Sequence, residues 1–380
     1  MEPFPFPIPE PDDWRLDWEA LVAAWPWLRS LAGCPQDPVH HAEGDVWVHT
    51  RMVCEAMAAL PGWRGRDAEE RALLLAAALL HDVAKPATTR SDAEGRVTAP
   101  GHSRRGELMT RGMLWRMGVP FQVREQVAAL VRHHQYPFYL VEREDSQRVL
   151  YQLSQSTRCD HLALLAESDL RGRVCEDPGR VLDAIALFTE YASGERCLDQ
   201  PRAFPSDHSR VAYFHHQGRD PEHLAYDDTR CEMVLLSGLP GSGKDTWLAR
   251  NFPGWPVVCL DDLREELGVD PSGEQGAVVQ RSKELARGHL RAARSFVWNA
   301  TNLTRKRRGQ LVALARAYSA RVRIVYIEAP HAVLLAQNRA RRRVVPERVL
   351  ARMVDQWEVP DRSEAHEVEY VVQGERADGG

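Results

Sequence analysis

The sequence predicts a multidomain chain: an all-α region followed by an α/β domain with a parallel sheet. Three observations predict it. From about 14 to 195, apolar residues recur at three- and four-residue spacing and no stretch alternates as a strand does. After 230, short apolar runs alternate with helical stretches, as buried parallel strands and their covering helices do. Between them, 196–230 is polar, poor in aliphatic residues and interrupted by prolines. It reads as a linker, held by its aromatics, between domains at 1–195 and 231–380.

In chain order, the proline-rich residues 1–13 predict an extended lead. Helical periodicity covers 46–60, 68–84, 104–117, 121–133, 147–168 and 178–192, with Pro61, Gly62, Pro86, Gly118 and Pro120 as punctuation. Strands are expected at 232–238, 257–262, 295–302 and 322–330, and the last ten residues as a loose tail.

Composition narrows the functional classes. The 380 residues are 44% hydrophobic and 27% charged, with a net charge of −5. That balance excludes a histone-like binder and leaves room for a local basic groove. Seven scattered cysteines without a C-x-x-C argue for reduced thiols in a cytoplasmic protein rather than a disulfide frame or zinc ribbon. The start, "MEPFPFPIPEPDDW", lacks the basic and apolar regions of a signal peptide. The apolar run "LLLAAALL" falls far short of the ~18 residues a membrane helix needs, so no membrane partner is expected.

Two constellations carry chemistry. In the helical region His49, the pair His81–Asp82, His102, His133 or His134, and Asp169 each sit near a helix end. Lys85 lies one helical turn after Asp82 and can face the same place. In the α/β region "EMVLLSG", "LPGSGKD" and "TWLARNF" read as strand, glycine loop and helix, the setting of a phosphate loop. Gly238, Gly241, Ser242 and Gly243 would wrap a phosphate, and Lys244 would reach the β- and γ-phosphates. Asp245 stands where the pattern G-x-x-x-x-G-K-[ST] has a hydroxyl, so magnesium falls to Asp245 itself, Thr246 or Ser242. Asp261 in "VVCLDDLREEL" can take a proton from an attacking hydroxyl or cap a helix, and Arg264 can hold an anion. Arg339, Arg341, Arg342 and Arg343 form either a solvated helix face or a lid over the triphosphate.

The order of "VHT", "HDVAKPATT", "GHS", "RHH" and "SDLRGR" over about 34–175 resembles the HD superfamily of metal-dependent phosphohydrolases, including the HD module attached to bacterial CCA-adding enzymes. That resemblance implies one metal on His49, His81, Asp82 and Asp169, and a second on Asp82, His102 and His133, with His134 competing for the last place. The ions would be transition metals, which imidazole and carboxylate suit. His41, Arg104 and Arg105 are further candidates for substrate contact.

From about 232 to 357, "GLPGSGKDTW", "DDLR", "NATNL" and "QNRARRRVVP" resemble the 5′-OH polynucleotide kinases related to the phage enzyme. The resemblance implies magnesium with ATP or GTP as donor, Asp261 as general base, Arg264 on the phosphate next to the 5′ end, and Arg341 at the transition state. Ala300 departs from it, standing where that pattern has aspartate. Together the halves resemble bacterial HD–polynucleotide kinase end-healing enzymes, which implies RNA or DNA ends as substrates and a ligase acting afterwards. The alternatives are a nucleotide phosphohydrolase fused to a nucleoside or sugar kinase, and a nucleotide-sensing regulator without turnover.

Overall fold

The computed structural model describes Phe4 and residues 8–11, 13–341 and 343–374. It divides into two compact units, Met1–Ala203 and Phe204–Gly380. The early part of the expected N-terminal lead lies largely outside the described residues, as does the expected tail from 375 on and Arg342 of the arginine run.

The first unit is helical. Its elements are α1 (Trp18–Ala24), α2 (Val46–Ala59), α3 (Pro61–Arg64), α4 (Ala68–Leu80), α5 (Lys85–Thr88), α6 (His102–Arg116), α7 (Phe121–His133), α8 (Ser146–Ser154), α9 (Cys159–Arg171) and α10 (Pro178–Gly194). Helix α4 organises them. Asp67 caps its start by accepting from the Glu70 amide at 2.8 Å. Every residue from Ala72 to Leu80 is buried, as expected of a helix apolar on all sides. Helices α2, α7 and α9 pack around it.

Two features differ from expectation here. The stretch 147–168 is two helices, because Ser154 and Ser156 turn their hydroxyls back onto the Tyr151 and Leu153 carbonyls and Arg158 is extended. A small antiparallel hairpin joins β1 (Arg90–Ser91) to β2 (Val97–Thr98). Two-residue strands are too short to register as alternation.

The second unit contains α11 (Asp207–His215), β3 (Cys231–Ser237), α12 (Lys244–Asn251), β4 (Val257–Cys259), α13 (Leu260–Glu266), α14 (Gly276–Arg291), β5 (Phe296–Asn299), α15 (Arg305–Arg316), β6 (Ala320–Glu328), α16 (His331–Ala340), α17 (Glu347–Val354) and β7 (Glu367–Val372). The five strands run parallel in the order β4-β5-β3-β6-β7. Alternate residues of β3 feed two cores. Met233 and Leu235 pack with Leu290, Leu311 and Val312 of α14 and α15. Val234 and Leu236 face Trp247, Leu248 and Phe252 at α12. The sheet is therefore sandwiched between helix layers, and the glycine loop leaves the carboxyl end of its central strand, where open α/β sheets bind ligands.

The stretch at 196–230, expected as a linker, contains α11, and from 204 on it belongs to the second unit. Arg210 donates to the His366 carbonyl at 2.7 Å and the Arg362 carbonyl at 3.0 Å, and Arg230 N–H to the Ser319 carbonyl at 2.8 Å. Its aromatics do clamp it, with the Phe204 ring 5.3 Å from Tyr213 and 5.5 Å from Phe214. Strand β7 replaces the beginning of the expected tail, and the strand expected at 257–262 ends at Cys259, where α13 begins. Among the described residues no helix is long and apolar enough to cross a membrane.

Buried Arg308 ties the second unit together. It makes a two-pronged pair with Glu364 at 2.8 Å per bond and donates to the Asn302 and Glu358 carbonyls at 3.1 and 2.7 Å. Truncation strands a buried carboxylate. Arg308→Ala is therefore expected to destabilise this unit by about 3–5 kcal/mol, measured as the loss in its denaturant transition.

Candidate functional site

In the first unit, the start of α2 and the ends of α4, α7 and α9 bring His49, His81, His134 and Asp169 together, with Asp82 and His102 alongside. His49, His81 and Asp169 form one buried group whose ligand atoms lie within 4.8 Å of one another, and Asp82, His102 and His134 form a second. Asp82 joins them: its Oδ2 is 3.2 Å from His81 Nε2 and 3.6 Å from His49 Nε2, and its Oδ1 is 3.5 Å from His102 Nε2.

The ring orientations follow from local backbone. Nδ1 of His81, His102 and His134 lies 2.7, 2.8 and 2.8 Å from the carbonyls of Ala78, Ala99 and Val131, three residues back in each case. A carbonyl only accepts, so each Nδ1 carries the proton and each Nε2 presents a lone pair to the centre. His49 repeats the pattern, with Nδ1 3.1 Å from the Gly172 carbonyl and 2.9 Å from Glu43 Oε1. This is how metal-binding histidines are oriented.

The electrostatics agree with a cation site. Both Asp82 oxygens are buried and accept no hydrogen bond of good geometry among the described residues. Burial would raise the carboxyls of Asp82 and Asp169. The Lys85 ammonium and His81 for Asp82, and Arg173 with His49 for Asp169, outweigh it and hold both well below the ordinary carboxylate range. Burial, with His81 and His102 nearby, pushes His134 down to about 3, into the neutral form a metal requires. The residues fit one or two divalent transition metals.

Of the two adjacent histidines, the structure places His134 rather than His133 in the buried group. His134 is 1% exposed and belongs to the buried group; His133 is the last residue of α7, its ring 5.5 Å from that of Tyr136. Helical phase explains it. His134 follows buried Val127 and Val131 by seven and three residues, whereas His133 falls about 100° away.

Lys85 faces the centre, its Nζ 2.7 Å from Asp82 Oδ2 and 2.6 Å from Gln36 Oε1. Both line a cleft of about 200 Å³ with His41, His102 and Arg173. Two supporting residues escaped sequence reasoning. Arg173 grips Asp169 with two bonds, the Nε one at 2.9 Å. Glu43 accepts from Nδ1 of both His41 and His49 at 2.9 Å and from Val174 N–H at 2.9 Å. The R-G-R after Asp169 was the signal for Arg173; no spacing pointed to Glu43, which arrives from a loop. Gly172 permits the arrangement, because a Cβ there would lie 2.5 Å from the Val53 nitrogen of α2.

In the second unit Gly238 to Lys244 form a phosphate-sized loop. A Cβ on Gly238, at φ +149°, would lie 2.2 Å from the Ile327 carbonyl oxygen, so only glycine fits. Gly241 and Gly243 also have positive φ. Lys244 Nζ donates to the Gly238 and Leu239 carbonyls, both at 2.9 Å, and burial pushes it down to about 8. Ser242 Oγ is buried without a hydrogen-bond partner among the described residues. Asp245 accepts from Asn299 Nδ2 at 2.7 Å, and Thr246 is exposed. Asn302 of "NATNL" braces the loop, donating to the Leu236 carbonyl at 2.7 Å.

Asp261 lies in the first turn of α13, where it pairs with Arg264 and lies 3.9 Å from Arg341 Nη2. Arg264 also donates to Gln275 at 2.8 Å. Arg341 and Asp261 are close enough to Lys244 to bias its charge. Arg339 and Arg343 instead pair with Glu347 and Glu265, at 2.9 and 2.8 Å.

Comparison with known proteins agrees with this division. The family profile for the HD domain matches residues 45–156, and that for an AAA domain matches 233–360. The chain joins an HD domain to a P-loop, kinase-like domain. Its relatives include the multifunctional CCA protein of Halorhodospira halophila, 35% identical over 123 residues (32% of this chain, 27% of the relative). That of Ralstonia nicotianae is 34% identical over 203 residues (49% and 44%). The CC-adding tRNA nucleotidyltransferase of Thermus thermophilus is 39% identical over 110 residues (29% and 24%). The chain thus spans less than half the length of these relatives.

Elemental analysis after equilibration with manganese or nickel should separate the adjacent histidines: His134→Ala loses bound metal and His133→Ala keeps it. Glu43→Gln should weaken metal binding roughly 10–100-fold in competition with a chromophoric chelator. In the P-loop domain, Lys244 is cationic below about pH 8 and neutral above it. Nucleotide affinity in equilibrium titrations should therefore be flat from pH 6 to 7 and fall towards pH 9.

Proposed function

We propose that this chain heals broken nucleic-acid ends: a 5′-hydroxyl kinase in the P-loop domain and a phosphoesterase in the HD domain that clears 2′,3′-cyclic phosphate, 2′-phosphate or 3′-phosphate. The observation that carries the reading is the cluster of Asp261, Arg264 and Arg341 at the same carboxyl end of the sheet as the glycine loop and Lys244, in a chain that also holds buried His–Asp clusters able to hold metal. Cleavage of RNA by transesterification leaves a cyclic phosphate and a 5′-hydroxyl. A ligase needs a free 3′-hydroxyl and a 5′-phosphate, so the two activities repair the two sides of one break.

In the kinase, the 5′-hydroxyl oxygen attacks the γ-phosphorus of ATP or GTP while Asp261 takes its proton, and the bond from that phosphorus to the β–γ bridging oxygen breaks to release ADP or GDP. Arg264 grips the neighbouring phosphate of the strand, and Lys244 with Arg341 neutralises charge on the transferring group. In the HD domain His49, His81, Asp82 and Asp169, then Asp82, His102 and His134, would hold metals, which supply Lewis-acid charge and an activated water. Lys85 reaches the same centre and can neutralise a phosphate oxygen or protonate the departing one. Support for nucleic acid comes from the relatives, which are named as CCA proteins and a CC-adding tRNA nucleotidyltransferase. The competing reading, a nucleotide phosphohydrolase fused to a nucleoside or sugar kinase, uses the same groups.

The test is an oligoribonucleotide bearing a 5′-hydroxyl and a 2′,3′-cyclic phosphate, with labelled ATP or GTP and each divalent metal in turn. The expected result is phosphate transfer to its 5′ end and loss of the terminal phosphate. Transfer to nucleosides alone would refute the end-healing reading. His81→Ala should abolish dephosphorylation and leave phosphorylation within about twofold, and Asp261→Ala should do the reverse, since the two residues belong to separate compact units and share no hydrogen-bond or ion-pair partner among the described residues.

A further inference from the structure

The P-loop departs from its pattern at one residue, and the structure supplies a partner for that departure. Asp245 occupies the first turn of α12 where a serine or threonine is the usual magnesium ligand. Its Oδ1 accepts from Nδ2 of Asn299, the last residue of β5. Asn299 is 7% exposed and lies on the strand next to β3, from which the loop departs. The strand end beside the loop thus carries a neutral amide. Asn299 is the residue that fixes this exposed carboxylate, whose charge also acts on the neighbouring Lys244 ammonium. Two other carboxylates of this end are already held: Asp261 by Arg264, and Glu328 by the Tyr326 hydroxyl.

Ser242 offers a second pointer. Its Oγ is buried without a partner and lies 2.9 Å from where a Cβ on Gly238 would be, so it points into the loop. A buried, unpartnered hydroxyl inside the glycine loop, with a carboxylate anchored by an amide at the start of the following helix, is a donor set suited to a cation and an anion together.

Resting on the nucleotide-site reading above, we propose that Asp245 is this chain's own ligand for the magnesium ion of the nucleotide, that Asn299 is the residue positioning it, and that the site accepts nucleotide only with its metal. A hydroxyl ligand is neutral and tolerates a bare triphosphate. A fixed carboxylate next to the β- and γ-phosphates repels a bare triphosphate and attracts one whose charge is bridged by a divalent cation. Asn299 keeps Oδ1 occupied, which leaves Oδ2 as the oxygen for the ion.

The experiment is equilibrium binding of ATP and GTP to the full chain, with magnesium and with chelator, read without turnover. The intact chain is expected to bind at least tenfold more tightly with magnesium. Asp245→Asn removes the charge and keeps the shape. It is expected to reduce that ratio roughly 10–100-fold, by tightening metal-free binding as well as weakening the magnesium complex. Asn299→Ala should reduce it less, with metal-free binding unchanged. If Asp245→Asn does not fold, Asp245→Ser restores the patterned hydroxyl and is expected to tighten metal-free binding. An unchanged ratio in whichever of these variants folds overturns the proposal alone. Failure of the intact chain to bind either nucleotide in any condition overturns the nucleotide-site reading, and this proposal with it.

Discussion

The first unit depends on one repeated hydrogen bond. Three buried histidines give their Nδ1 proton to the carbonyl three residues earlier, and a fourth gives it to Glu43 and Gly172. In the first three the bond fixes the tautomer, ring plane and lone-pair direction without a side chain dedicated to the task. It explains why His81 and His134 sit just past helix ends, where the polypeptide turns and a carbonyl is left over from the helical ladder. The apolar bulk of α4 then keeps water away from the carboxylates between them. Asp82 has one nearby ammonium and otherwise a wall of imidazole edges. Such a group is costly to bury alone, and a divalent ion offsets that cost.

The second unit solves the opposite problem. It holds the backbone of an open glycine loop still at the carboxyl end of the sheet. The central strand enters the glycine loop between two parallel neighbours, so the turn starts from the stiffest part of the sheet. Asn302, in a left-handed conformation, fastens the loop from below, and Gln373 donates to the Ser242 carbonyl from beyond β7. Residues 302, 358 and 364 are then locked to one another by Arg308.

Most of this architecture was legible because it is periodic. The helical spacing of 121–133 and the apolar runs at 232–238 and 322–330 mark elements within two residues of where they fold. The glycine loop and the His–Asp order were legible because their chemistry demands particular residue types. What escaped has physical causes. His134 displaced His133 through helical phase, which can be counted from the buried Val127 and Val131. The helix at 207–215 hides in a polar stretch because its stability comes from arginine and histidine bonds to a distant segment. Glu43 lies on no periodic element, and its partners are near it only after folding. Asn299 reads as the end of an apolar strand until Asp245 is set beside it.

Gly172 bears on how such a centre can change. The two helices that carry His49 and Asp169 touch backbone to backbone at this point, and even one methyl group would force α2 and α9 apart. His49 Nε2 and Asp169 Oδ1 now stand 3.1 Å from each other. A single added carbon at residue 172 would act as a spacer inserted into a gauge, widening a gap the ligands cannot re-span without moving their helices. The bite of this His–Asp centre is thus set by a hydrogen atom on a residue that has no side chain and whose carbonyl also steadies the His49 ring.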